Sequence, residues 1–196
     1  MKKNIKAALA LLCALPLLFL SGCDNTRSGV KNYDTFIEKV TYAETFMPAL
    51  EDVGAYEHAD AYYRYIFRLM FESRSVNLTL TYSAENYEQQ KQAALAGYQF
   101  DEIVESEQHL HKPSCAKDCA VLYDTVSNYC TYRTYTIYVV SPSDLNPDYR
   151  VLIPKYFGMI GFSDTNHKIC YLYYYDYDLD ILGDMTEFLD GNFTFG

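Results

Sequence analysis

The sequence predicts an α+β fold: one domain on a mainly antiparallel sheet with two or three helices. Three observations carry this expectation. Val76, Leu78, Leu80 and Tyr82 alternate with Asn77, Thr79 and Thr81, the period of two of a half-buried strand. Residues 156–162 and 168–178 are strand-like runs flanking Ser163-Asp164-Thr165-Asn166-His167, the pattern of a hairpin. Strand-like runs also outnumber helix-like ones and follow one another over short turns, which favours antiparallel pairing.

The elements follow in order. Tyr33, Phe36, Ile37, Val40 and Met47 recur at helical spacing, predicting a helix that ends near Pro48. Residues 48–60 read as loop, with Gly54 as a turn point. Residues 62–71 fit a helix face through Tyr63, Ile66, Phe67 and Met70. Their aromatic density also fits a strand entering a turn at Glu72-Ser73-Arg74-Ser75, and the strand reading is preferred. Ser83 caps a helix running to Ala96, and Gly97 stands where a helix stop belongs. Residues 98–107 begin another strand, and 106–128 read as an irregular polar connection. Residues 131–140 alternate Thr and Tyr with Ile and Val as one strand. Residues 141–147 form a Pro/Asp/Asn loop. Residues 185–189 close the chain with a short helix.

The first residues have a separate logic. Lys2, Lys3 and Lys6 precede a 14-residue uncharged apolar run, residues 7–20. The run is short of the ~18–20 apolar residues a spanning helix needs, and Pro16 interrupts it. Leu20-Ser21-Gly22-Cys23 follows, then polar Asp24-Asn25. Residues 1–23 resemble the leaders of bacterial lipoproteins, with Leu20-Ser21-Gly22-Cys23 as the lipobox. The resemblance implies cleavage before Cys23, a diacylglycerol thioether on that residue, and a cell-membrane location facing the extracytoplasmic side. No other cofactor is expected. Two acyl chains hold stably where one is marginal, because each buried methylene adds ~0.8 kcal/mol. The expected organisation is a signal peptide over 1–22, lipidated Cys23 with a flexible tether over 23–32, and an α+β domain over 33–196. The hairpin from Phe157 to Asp176 is similar to segments of small uncharacterised bacterial lipoproteins, a likeness that carries no activity.

Cleavage leaves 174 residues, enough for a real core. Loss of three lysines reduces 16 basic residues to 13 against 26 acidic ones, a formal charge of −13. Such a chain is repelled by nucleic acid. All 21 tyrosines lie after the leader and tryptophan is absent. Tyrosine packs a ring while keeping a polar tip, which suits half-buried sheet faces.

Cys13 leaves with the leader and Cys23 takes lipid, so Cys115, Cys119, Cys130 and Cys170 remain. Four cysteines in an oxidising compartment read as two disulfides with three connectivities, and Cys115–Cys119 with Cys130–Cys170 is favoured. The alternative for Cys170 is a simple buried thiol. His109, His111, Cys115 and Cys119 offer two imidazoles and two thiolates, a set that suits zinc or copper. Cys-x3-Cys with a distant His resembles copper-binding assembly factors of the Sco type, although here no βαβ pattern surrounds it. Asp176, Asp178, Asp180, Asp184 and Glu187 have the spacing of a calcium loop, but Ile181 stands where Gly is needed. The preferred reading is a strand with Asp176, Asp178 and Asp180 facing water. His58 and His167 read as surface histidines. No Gly-x-Ser-x-Gly or Gly-rich phosphate loop occurs. The expected function is a lipid-anchored, non-enzymatic binding or accessory domain, contacting the membrane through its lipid and a protein or envelope partner. A metal or thiol-redox protein using His109, His111, Cys115 and Cys119, or a small envelope hydrolase, are the alternatives.

Overall fold

The expected hairpin forms the centre of the molecule. A computed structural model describes residues 23–68, 71–101, 103–106, 111–113, 123–127, 129–141, 156–176 and 185–195. Strands β1 (Cys23–Ser28), β2 (His58–Arg68), β3 (Phe71–Thr81), β4 (Phe100–Asp101), β8 (Cys130–Tyr132), β9 (Tyr135–Val140), β10 (Tyr156–Ser163) and β11 (Lys168–Asp176) build an eight-stranded antiparallel sheet. Its order is β1-β2-β3-β11-β10-β9-β4, with β8 also paired to β9. A smaller sheet joins β5 (Ile103–Ser106), β6 (His111–Pro113) and β7 (Tyr123–Ser127) in the order β6-β5-β7. Helices α1 (Tyr33–Ile37), α2 (Ala84–Gly97) and α3 (Met185–Asn192) complete the described elements.

All eight residues of β10 are buried. A strand covered on both faces reads as an unbroken apolar run, which residues 156–162 are. One face carries Ala61, Tyr63, Val76, Leu78, Leu80, Tyr171 and Tyr173, packed under α1, residues 41–55 and α2. The register places Asn77, Ser75, Leu172, Tyr174 and Met159 on the other face. There Phe188 of α3 packs on Phe157 and Tyr174, and Phe195 on Tyr132 and Tyr135.

Several expectations are corrected. Residues 23–32 are not a loose tether: Cys23–Ser28 pair with β2 along their whole length, and Val30–Asn32 form a 3-10 turn. A short, polar, charged strand suits a sheet edge, since it discourages further pairing. The helix expected over 33–47 stops at Ile37. Tyr42 adopts φ 62, a left-handed conformation that ends helical winding, and Ala43–Thr45 form a 3-10 turn. Tyr33, Phe36, Val40 and Met47 are nonetheless buried. Strand β2 begins at His58 rather than after residue 60, and Glu72–Ser75 lie within β3 instead of a turn. The strand expected over 131–140 is two strands, β8 and β9, joined at Arg133-Thr134. Arg133 takes φ 53 there, as two-residue hairpin loops require. Residues 106–128 contribute β6 and β7.

Helix α2 starts after the expected Ser83 cap, with Ser83 Oγ accepting from Asn86 N at 3.4 Å, and runs one residue past the expected Ala96 to include Gly97. The closing helix extends three residues beyond 189.

Candidate functional site

Residues 41–55 cross one face of the sheet largely without regular structure. Backbone carbonyls that lack helix or sheet partners must find donors elsewhere. Tyrosines supply most of them here. Tyr173 OH donates to Thr41 O at 2.9 Å, Tyr33 OH to Pro48 O at 2.8 Å, Tyr82 OH to Val53 O at 2.9 Å, and Tyr98 OH to Phe46 O at 3.4 Å. Asn86 Nδ2 adds a bond to Ala55 O at 3.0 Å. Burial raises the Tyr33, Tyr82 and Tyr173 hydroxyls above the ordinary tyrosine value, so they remain protonated donors.

Phe46 pins the segment to the sheet. Its ring fills the space over Gly158, where an added Cβ would lie 2.8 Å from ring carbons. Tyr173 stacks against it with centroids at 5.9 Å, and Tyr98 and Tyr171 meet it edge-on at 5.8 and 6.4 Å.

Between this segment and α2 lies a cavity of about 510 Å³, floored by Tyr171 and walled by Phe46, Met47, Val53, Ala94 and Tyr98. That volume lies within the range of small-ligand sites. Glu44, Asp52 and Gln90 also line it. Glu44 and Asp52 are exposed and make no ion pair among the described residues. Tyr171 is only 6% exposed, yet among the described residues nothing hydrogen-bonds its hydroxyl. The hydroxyl keeps access to the groove, so a ligand acceptor there would take the place of water as its partner. Burial also raises the Tyr171 hydroxyl, which keeps it a neutral donor.

A second cluster fastens α2 to the β10–β11 turn. Tyr87 OH and Lys91 Nζ both donate to Asp164 Oδ1. These bonds, Lys91 first, hold the Asp164 carboxyl below the usual carboxylate range. The His167 ring lies 5.6 Å from that of Tyr87.

The residues singled out in the sequence are scattered. Cys23 opens β1 and is exposed. Cys130 and Cys170 are both free thiols, so the expected bond between them is not made. The register explains why: Cys130 pairs Ile137, Ile137 pairs Gly161, and Gly161 pairs Cys170. Three strand spacings of ~4.8 Å separate the two, well beyond disulfide reach. Asp176 does not face water. It is 7% exposed and accepts the Tyr174 hydroxyl at 2.6 Å, on the face that α3 covers. His58 is in β2 rather than a loop, and has a carboxylate partner in Asp60 at 3.1 Å. His111 lies on β6 opposite Glu105. His109, Cys115, Cys119, Asp178 and Asp180 lie outside the described residues. Among the described residues no three His, Cys, Asp or Glu side chains gather as a metal site. The cavity itself was missed, because its lining comes from residues 44–53, α2 and β11, and no local pattern joins segments so distant in the chain.

The class defined by this geometry is an antiparallel sheet covered on both faces, with a ligand-sized groove between an irregular strap and a helix. No protein-family model, curated protein or solved structure matches the chain.

Proposed function

We propose that this is a lipid-anchored binding protein, held by Cys23 on the extracytoplasmic side of the cell membrane. Its described core acts as one non-enzymatic α+β domain. The groove between residues 44–53 and α2 takes a small organic ligand with an apolar body. The ligand offers an acceptor to Tyr171 and a cationic group toward Glu44 and Asp52. One observation carries the reading: a ligand-sized cavity lined by Tyr171, whose hydroxyl has no partner among the described residues. What supports the anchor is the leader sequence through Leu20-Ser21-Gly22-Cys23.

The test is a thermal-shift screen of the detergent-solubilised full chain against small amines, neutral sugars and carboxylates. A ligand that binds the native state stabilises it by ~2.7 kcal/mol at a hundred times its Kd. Amines should raise the Tm, and Ala94→Trp should abolish the shift by filling the groove. A screen in which no amine acts, or in which Ala94→Trp responds like the parent, overturns the reading.

A further inference from the structure

We infer that the corner of the sheet beside Cys23 is a membrane-contact patch, where Phe67 and Tyr65 enter the bilayer interface next to the acyl chains. The inference rests on the acylation proposed for Cys23.

Cys23 and Phe67 are direct partners in the β1–β2 ladder. Paired residues share a face, with Cα atoms ~4.5–5.5 Å apart. Phe67 is 39% exposed, and Tyr65 stacks on it with centroids 6.4 Å apart and ring planes 21° apart. A lone exposed apolar ring is ordinary. This one stands beside the residue that would carry two acyl chains. The strand is paired from Cys23 onward, so no slack separates lipid from domain. The anchor therefore holds this corner, rather than an arbitrary surface, against the bilayer.

The charge pattern agrees. Asn25 pairs Tyr65 and Arg27 pairs Tyr63 along the same face. The Arg74 guanidinium lies 5.1 Å from the Tyr65 ring centroid, and Lys39 Nζ 5.7 Å from that of Tyr63. Arg27, Arg74 and Lys39 thus gather around the aromatic patch of an otherwise acidic chain. Of the nearby acids, Glu72 pairs with Arg74 at 2.8 Å, and Asp24 pairs with Arg64 on the opposite face at 2.6 Å. Amphipathic rings sit at headgroup depth, and basic side chains favour anionic headgroups.

The chain has no tryptophan, so Phe67→Trp supplies a single reporter. The full chain is processed in a bacterial host, purified in detergent and placed in vesicles of phosphatidylethanolamine and phosphatidylglycerol. Mass spectrometry of the amino-terminal peptide reads the acylation separately. Lipids brominated high on the acyl chain should quench F67W fluorescence several-fold. They should leave Y129W, at the far side of the sheet, unquenched. Y65W reports on the same patch if F67W does not accumulate. Acylated Cys23 with F67W or Y65W no more quenched than Y129W overturns the patch while leaving the anchor. Unmodified Cys23 overturns both.

Discussion

The Asn77 side chain binds the Thr194 backbone as a neighbouring strand would. Its Nδ2 donates to Thr194 O at 2.8 Å, and its Oδ1 accepts from Thr194 N at 3.4 Å. Asn77 is 1% exposed in the middle of β3, so its amide has no alternative partner in water. One buried polar side chain therefore fixes where the tail after α3 lies, with Ser75 Oγ donating to Asn192 O beside it.

Asn77→Ala should cost ~1–3 kcal/mol, since it opens space in the core and removes both bonds to Thr194, an exposed residue whose backbone water can partly satisfy. Chemical denaturation measures this. A loss below ~0.5 kcal/mol, the scale of a neutral surface change, would show that the clamp contributes nothing.

Gly161 is required by Cys170 beside it. An added Cβ would lie 2.5 Å from Cys170 Sγ, 3.2 Å from Ile137 Cγ1 and 3.3 Å from Tyr135 Cδ1. Gly161→Ala should destabilise by ~1–3 kcal/mol through overpacking. Adding Cys170→Ala removes the nearest clash, so the double variant should be more stable than the sum of the two singles. Strict additivity in the cycle contradicts the contact.

What the sequence made legible was mostly local. The period of two at 76–82, the apolar run at 156–162 and the Ser83 cap each depend on neighbours a few residues away, and each marks its element. The strand at 76–82 is nevertheless buried on both faces rather than half-buried, with Asn77 and Thr79 at 1% and 2% exposed. Residues 33–47 show the limit. Their spacing marks the buried Tyr33, Phe36, Val40 and Met47 and the partly buried Ile37, but it cannot show that the chain must leave helical winding at Tyr42 to set Phe46 over Gly158. The reading of Asp176 failed similarly. Alternation assigns the residue to a face, while the helix that covers that face comes from elsewhere in the chain. Tyrosine content signalled half-buried sheet faces. Its further use, donating to the carbonyls of residues 41–53, depends on tertiary placement alone.

The free thiols should respond differently to alkylation. Burial pushes the Cys130 thiol up to about 11, and it pushes the fully buried Cys170 thiol higher still. Only the thiolate reacts, so Cys130 labelling should rise about tenfold per pH unit below that value. Cys170 should stay unlabelled until denaturant opens the core. Residue-resolved mass spectrometry distinguishes these sites. Protection of both until a reductant is added would instead indicate a bond between them.

Asp164 gives a pH dependence with a defined sign. Its folded carboxyl titrates below the unfolded value of ~3.9 because Lys91, then Tyr87, stabilise the charged form. The contribution is therefore fully present above the unfolded value and is lost as pH falls through the lowered one. The side chain is 69% exposed, so solvent screening keeps the effect on stability small. An NMR titration of the carboxyl is the direct reading. Lys91→Met should move its midpoint upward, and Tyr87→Phe should do so by less. An unmoved midpoint in K91M rules out the assigned cause.

Two tyrosine-to-phenylalanine changes separate a structural hydroxyl from one that serves a ligand. Tyr82 and Val53 are both buried, and the Tyr82 hydroxyl satisfies the Val53 carbonyl. Tyr82→Phe keeps the ring but leaves that carbonyl unpaired, so stability should fall by ~1–3 kcal/mol. Tyr171 is just as aromatic and nearly as buried, but its hydroxyl satisfies no described group. Tyr171→Phe removes a polar atom that nothing in the fold uses, so stability should hold or rise slightly. The same substitution should reduce the thermal shift given by any amine that binds the groove. A Tyr171→Phe protein as destabilised as Tyr82→Phe would mean that the hydroxyl serves the fold. Unchanged stability with an unchanged ligand response would place binding away from Tyr171.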